Sequence, residues 1–213
     1  MSAISPREMK KRDKEERIRA AALELIRARG YDATTTAQVA ERAGIATGTL
    51  FLYVKTKEEL LDFVFAGEIA AVVEEAFRTL PRRGDIVKRL VHLFGRLLDY
   101  YYCDLRLARV LVAEALLPRT GARSLPLTVE FLQRLAALIH EEQAAGRLVG
   151  DAYPVELATH AFSLYLAGVL TVVNMMGTSA DARQTLERAL EIHFRGLRPS
   201  PARRAHHPRS KRS

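Results

Sequence analysis

A chain of 213 residues of which 48% are apolar can bury a real core, and it is too polar to be mainly a membrane protein. The formal charge of +8 is uneven: residues 198–213 carry +6 with no acid, residues 1–57 carry twelve Lys/Arg against seven Asp/Glu, and the long middle is net acidic. The basic ends suggest a polyanion partner. The single cysteine, Cys103, excludes an internal disulfide and a cysteine cluster for metal, and the charged N-terminus lacks the apolar stretch of a signal peptide; both point to a cytoplasmic location.

With 12 glycines, 8 prolines and no period-two alternation, the chain reads as all-α. A first helix is expected over residues 13–29, with Ile18, Ala21, Ala22, Leu25 and Ile26 on one stripe and Gly30 at its end. Thr35 to Gln38 forms a capping box that opens a short second helix closed by Gly44. A third runs from about Thr47 to Val54, and a second box, Thr56 to Glu59, starts a long fourth helix to about Leu80. Further helices are expected from Asp85 to Tyr102, Leu105 to Leu117 (stopped by Pro118 and Gly121), Leu127 to Ala145, Pro154 to Met176 and Asp181 to Leu197. The proline-rich basic tail, 198–213, reads as disordered.

The stretch AGIATGTLFLYVKTKEEL, residues 43–60, holds two glycines four apart, and a helix-interior glycine costs about 1 kcal/mol against alanine. Gly44 can adopt the left-handed conformation that ends helix two, after which Ile45 packs inward and helix three restarts at a large angle: a helix-turn-helix. Gly48 lies in the first turn of helix three, where a missing side chain lets DNA approach the backbone.

Val39, Ala40, Ala43, Gly44, Gly48, Thr49, Leu50, Tyr53, Lys57, Glu58 and Leu60 stand in the order and spacing of the tetracycline-repressor (TetR) family, which the chain resembles from about Arg12 to Phe65. The resemblance implies a basic N-terminal arm (1–11), a helix-turn-helix domain (12–57), a helical ligand-binding and dimerisation domain (58–197) and the tail. It implies phosphate contacts from Thr35, Thr36, Tyr53 and Lys57, and base-edge approach by Ala46, Thr47, Gly48 and Thr49. Ala46 replaces a common serine, Phe51 a common tyrosine, and Leu52 stands where a polar residue often faces DNA. Helix three therefore lacks Arg, Asn and Gln for bidentate base contacts, and specificity should lean on methyl contacts and DNA shape.

The segment 154–176 is apolar on nearly all faces, so it needs a second cover; together with the stripe on the last helix this points to a homodimer formed through the last two helices. Its apolar run is too short and too interrupted to span a bilayer. Tyr101, Tyr102, Arg106, Tyr165 and Asn174 are candidate contacts for a small lipophilic or aromatic effector in an apolar cavity. No phosphate loop, nucleophile elbow or carboxylate-histidine pair is present, so no catalytic residue, cofactor or metal ligand is expected. The expected function is a ligand-responsive dimeric regulator on a pseudo-palindromic operator in double-stranded DNA. Repression rather than activation comes from the resemblance alone. A helical DNA- or partner-binding protein without an effector is the alternative.

Overall fold

A computed structural model describes residues 5–82, 84–116, 122–174 and 178–197. The expected stops at Pro118 and Gly121, the helix end at Met176 and the tail 198–213 lie outside these residues. The described residues form α1 (Pro6–Arg29), α2 (Thr36–Arg42), α3 (Thr47–Leu50), α4 (Lys57–Arg78), α5 (Ile86–Cys103), α6 (Leu105–Leu116), α7 (Ser124–Ala144), α8 (Pro154–Asn174) and α9 (Ser179–Arg195). The all-α expectation holds, and most boundaries lie within three residues of those expected.

Helix α1 starts seven residues early. Ser5 caps it, accepting from the Glu8 N–H while the Glu8 carboxylate accepts from the Ser5 N–H, and Pro6 follows at the first helical position. The charged turns beyond are laced by Arg17–Asp13 (3.4 Å) and Lys11–Glu15 (4.0 Å). An apolar-stripe criterion misses such a helix because its first three turns bury nothing. Helix α3 is shorter than expected: after Leu50 the chain continues through single turns, with the Tyr53 N–H donating to the Leu50 carbonyl.

By contacts the chain divides into two compact units, Met1–Glu75 with Asp99–Thr128 and Ala76–Leu98 with Val129–Ser213. The first is built around Ile18, Ala22, Val39, Leu50, Leu61 and Val64, all at most 1% exposed. Here Arg123, just before α7, ties three pieces together. Its N–H donates to the Asp62 carboxylate (2.6 Å), its Nη2 donates to the Tyr53 carbonyl (2.9 Å), and its guanidinium lies over the Phe63 ring.

The second unit packs α8 on α9 and centres on an aromatic cluster, with Phe94 stacked on Tyr165 at 4.9 Å and edge-on to Phe131 at 6.0 Å. Glu142, 2% exposed, is held by Arg89 (3.1 Å) and by both Nε and Nη2 of Arg147 (2.6 and 2.9 Å). The Arg147 hydrogen bonds, more than any other influence, hold the Glu142 carboxyl below the usual range against the opposing effect of burial. On α9, Arg183 lays its guanidinium on Gly95 of α5 and donates to the Gly95 carbonyl (2.9 Å). A Cβ at residue 95 would overlap that guanidinium.

Candidate nucleic-acid interface

Helix α2 opens with the expected box: Thr35 Oγ1 accepts from the Gln38 N–H, and the Gln38 side chain accepts from the Thr35 N–H. The Thr35 hydroxyl proton is left for another acceptor. Thr36 follows, half-buried, at the first helical position.

The end of α2 explains the first glycine. The Ile45 N–H reaches back to the Ala40 carbonyl and the Gly44 N–H to that of Glu41, both at 3.0 Å. This is a Schellman closure, with Gly44 at φ +65° and Ile45 packed against the core. Only two residues separate Gly44 from the start of α3, and α2 packs on both α1 and α3. The helix-turn-helix read from the sequence is therefore present.

Ala46 is the N-cap of α3 and makes no side-chain cap bond. Ala46, Thr47 and Gly48 are exposed, and Thr49 is half-buried. A Cβ at Gly48 would meet nothing within 4 Å, and its φ is not in the left-handed region. Gly44 is thus required by the fold, whereas nothing among the described residues requires Gly48. The turn is anchored from behind by Leu50 and Val54, 0% and 1% exposed, while Phe51 and Leu52 face outward at 44% and 84%.

Tyr53 is half-buried, with its carbonyl taken by Arg123. Lys57 is already engaged: its ammonium donates to the Asp32 carbonyl (2.8 Å) and sits 4.5 Å from the centre of the Tyr31 ring. It pins the α1–α2 link and keeps further donors for an anion. Sequence reasoning missed Arg123 and the helical form of the basic N-terminal arm. Arg123 lies 70 residues from Tyr53, and no local pattern joins them. The exposed cations Arg7, Lys10, Lys11 and Arg12 ride on the early turns of α1; the Ser5–Pro6–Glu8 capping signature was the signal that could have found that helix.

The expected effector contacts are distributed over the two units. In the first, Tyr101 packs with Tyr100 edge-on (5.8 Å) against the core, whereas Tyr102 is not part of that cluster. The Tyr100 hydroxyl is buried with no hydrogen-bond partner among the described residues, and burial followed by the Glu68 charge pushes its pKa well up. Arg106 is exposed in the first turn of α6, which the Asp104 carboxylate caps. In the second unit Tyr165 is 3% exposed and stacked on Phe94. Asn174 is the last residue of α8, and its side chain lies outside the described residues. No helix among the described residues is long and apolar enough to cross a membrane.

Residues 18–64 match the family model described as bacterial regulatory proteins, tetR family. The fatty acid metabolism regulator protein of Bacillus subtilis is 29% identical over 86 residues, which span 40% of this chain and 44% of that protein. The chain therefore aligns with less than half of that curated relative's length. Among solved structures, the FadR TetR-family repressor of Thermus thermophilus, in complex with lauroyl-CoA, is 26% identical at a TM-score of 0.70, covering 88% of this chain and 97% of that one. FadR of Bacillus subtilis, in complex with stearoyl-CoA, shares the fold at 21% identity and a TM-score of 0.68, over 85% and 98% of the two chains. Residues 18–64 therefore carry the DNA-binding domain of the tetR family of bacterial regulatory proteins, and the described chain as a whole is similar in fold to a tetR-family repressor.

Proposed function

We propose that the chain is a cytoplasmic, dimeric repressor that binds a pseudo-palindromic operator and is released by a long-chain acyl thioester. The observation that carries DNA reading is the pair of glycines. Gly44 satisfies the turn, and Gly48 leaves the outward face of α3 bare although no described residue crowds that position. Two such helices would enter successive major grooves about 34–36 Å apart. Ala46, Thr47, Gly48 and Thr49 approach base edges, and Thr35, Thr36, Tyr53 and Lys57 hold phosphates. This assigns DNA binding to residues 12–57 and effector binding and dimerisation to residues 58–197.

The outer stripe of α8 supports a dimer. Thr159, Ser163 and Thr171 each donate their hydroxyl to the carbonyl four residues back (2.8–2.9 Å), so with Ala167 they form an exposed line of small side chains whose polar groups are already satisfied. Half-buried Leu166 and Leu170 flank that line. A second copy of α8 and α9 can approach it closely.

The acyl-thioester effector rests on the ligands of the two FadR relatives and narrows the lipophilic class expected from the sequence. Tyr101, Tyr102, Arg106, Tyr165 and Asn174 remain the proposed contacts, joined by Tyr100, whose buried hydroxyl has no acceptor among the described residues. The effector works only through different affinities for the operator-competent and released states.

Fluorescence anisotropy on the DNA upstream of the protein's own coding region, at two salt concentrations and with a footprint, tests the reading. Saturable binding to an inverted repeat, reversed by lauroyl- or stearoyl-CoA and not by free CoA, is expected. Binding that is equal on every sequence and lost as salt rises would overturn operator recognition; release by CoA alone, or none, would overturn the acyl effector.

A further inference from the structure

Leu52 is the most exposed large apolar side chain among the described residues, at 84%. It stands on the outward side of the helix-turn-helix, opposite the buried Leu50 and Val54 and four residues on from Gly48, where the space beside the backbone is open. The turn that carries it is held firmly. The Leu52 N–H donates to the Thr49 carbonyl, the Tyr53 and Val54 N–H groups donate to Leu50, and Arg123 grips the Tyr53 carbonyl from the other side. With its backbone already held, the leucine has only its side-chain rotamer freedom to lose when covered.

From Ala46 to Val54 the segment has no Arg, Lys, Asn, Gln, His, Asp or Glu, so it offers no bidentate partner for a purine edge. The apolar feature that a base pair displays in the major groove is the C5-methyl group of thymine. We infer that Leu52 is a specificity-determining residue that reads a thymine methyl in each operator half-site, a role distinct from the hydroxyl contacts assigned to Thr47 and Thr49. This rests on the operator-binding reading above and adds what the operator must contain.

The test begins by selecting tight-binding duplexes from a random pool with the full-length protein. Each thymine of the selected site is then replaced by deoxyuridine, symmetrically in both half-sites, and binding is measured for the wild type, Leu52→Ala and Leu52→Asn. At one thymine per half-site, loss of the methyl should weaken the wild type about fourfold per half-site, the value of one buried methyl-sized group. Leu52→Ala should be insensitive to uracil at that position and keep its sensitivity elsewhere. Because the side chain is exposed, both variants should melt with the wild type, so a loss of binding is not a folding defect.

Uracil insensitivity of the wild type at every position would overturn the inference while leaving operator binding intact. So would a Leu52→Ala protein that still loses affinity at the same thymine, or one whose DNA binding is unchanged while its association state shifts, which would assign the leucine to a protein contact. Failure to select any preferred duplex would overturn the operator reading itself, and this inference with it.

Discussion

Two glycines four residues apart have opposite causes, and substitution separates them. Gly44 sits at φ +65°, where a side chain costs about 1–2 kcal/mol. Gly44→Ala should therefore lower unfolding stability by about that amount in denaturant titration. Gly48 has open space beside it and an ordinary backbone conformation. Gly48→Ala should leave the unfolding free energy within about 0.5 kcal/mol of the wild type and weaken operator binding measured by anisotropy. If Gly48→Ala unfolds the protein, the glycine serves the fold after all.

At the scale of elements, two joints in the second unit carry charges where apolar packing would be expected. Glu142 anchors the end of α7 to Arg89 of α5 and to Arg147 beyond the helix end. Its folded carboxyl titrates below its unfolded value, chiefly through the Arg147 hydrogen bonds. The stabilisation is therefore complete above the unfolded value of about 4.3 and is lost as pH falls through the folded one. Glu142→Gln should lower stability at pH 7 by about 2 kcal/mol, below the range for fully buried pairs because Arg147 stays hydrated, and should flatten the acid limb of stability against pH. An acid limb identical to the wild type would show that the carboxylate contributes nothing to it. The second joint is Arg183 on Gly95. Gly95→Ala should gain the helix-propensity benefit of about 1 kcal/mol only when Arg183 is also removed, because in the single variant the new methyl expels the guanidinium. Equal gains in both backgrounds, in a double-mutant cycle, would contradict this.

For the whole molecule, the proposed dimer makes the outer stripe of α8 a place where one charge should act at a distance. Ala167 is exposed in the single chain, so Ala167→Glu should not unfold it. Placed against its own copy across a two-fold axis, the added carboxylate would be buried without a partner. Sedimentation should then report a monomer, and operator affinity should fall steeply because the two half-sites are no longer read together. A variant that remains dimeric would move the interface elsewhere.

Local signals carried much of this protein. The Thr35–Gln38 box, the left-handed position at Gly44 and the helical stripes of α5 and α9 are each decided within about ten residues, by capping bonds and periodicity, so they were legible in the chain. The second box was legible in part: Glu59 accepts from the Lys55 N–H rather than from that of the cap residue Thr56. What local patterns leave open is which side chains meet across long separations. Arg123 reaches Tyr53 and Asp62, Arg183 fills the space over Gly95, and Tyr165 stacks on Phe94, joining residues 60 to 90 apart along the chain. Exposure belongs to the same class: Leu52 and Leu50 are the same residue type two positions apart, and only the packing of the three-helix core leaves one in water and buries the other.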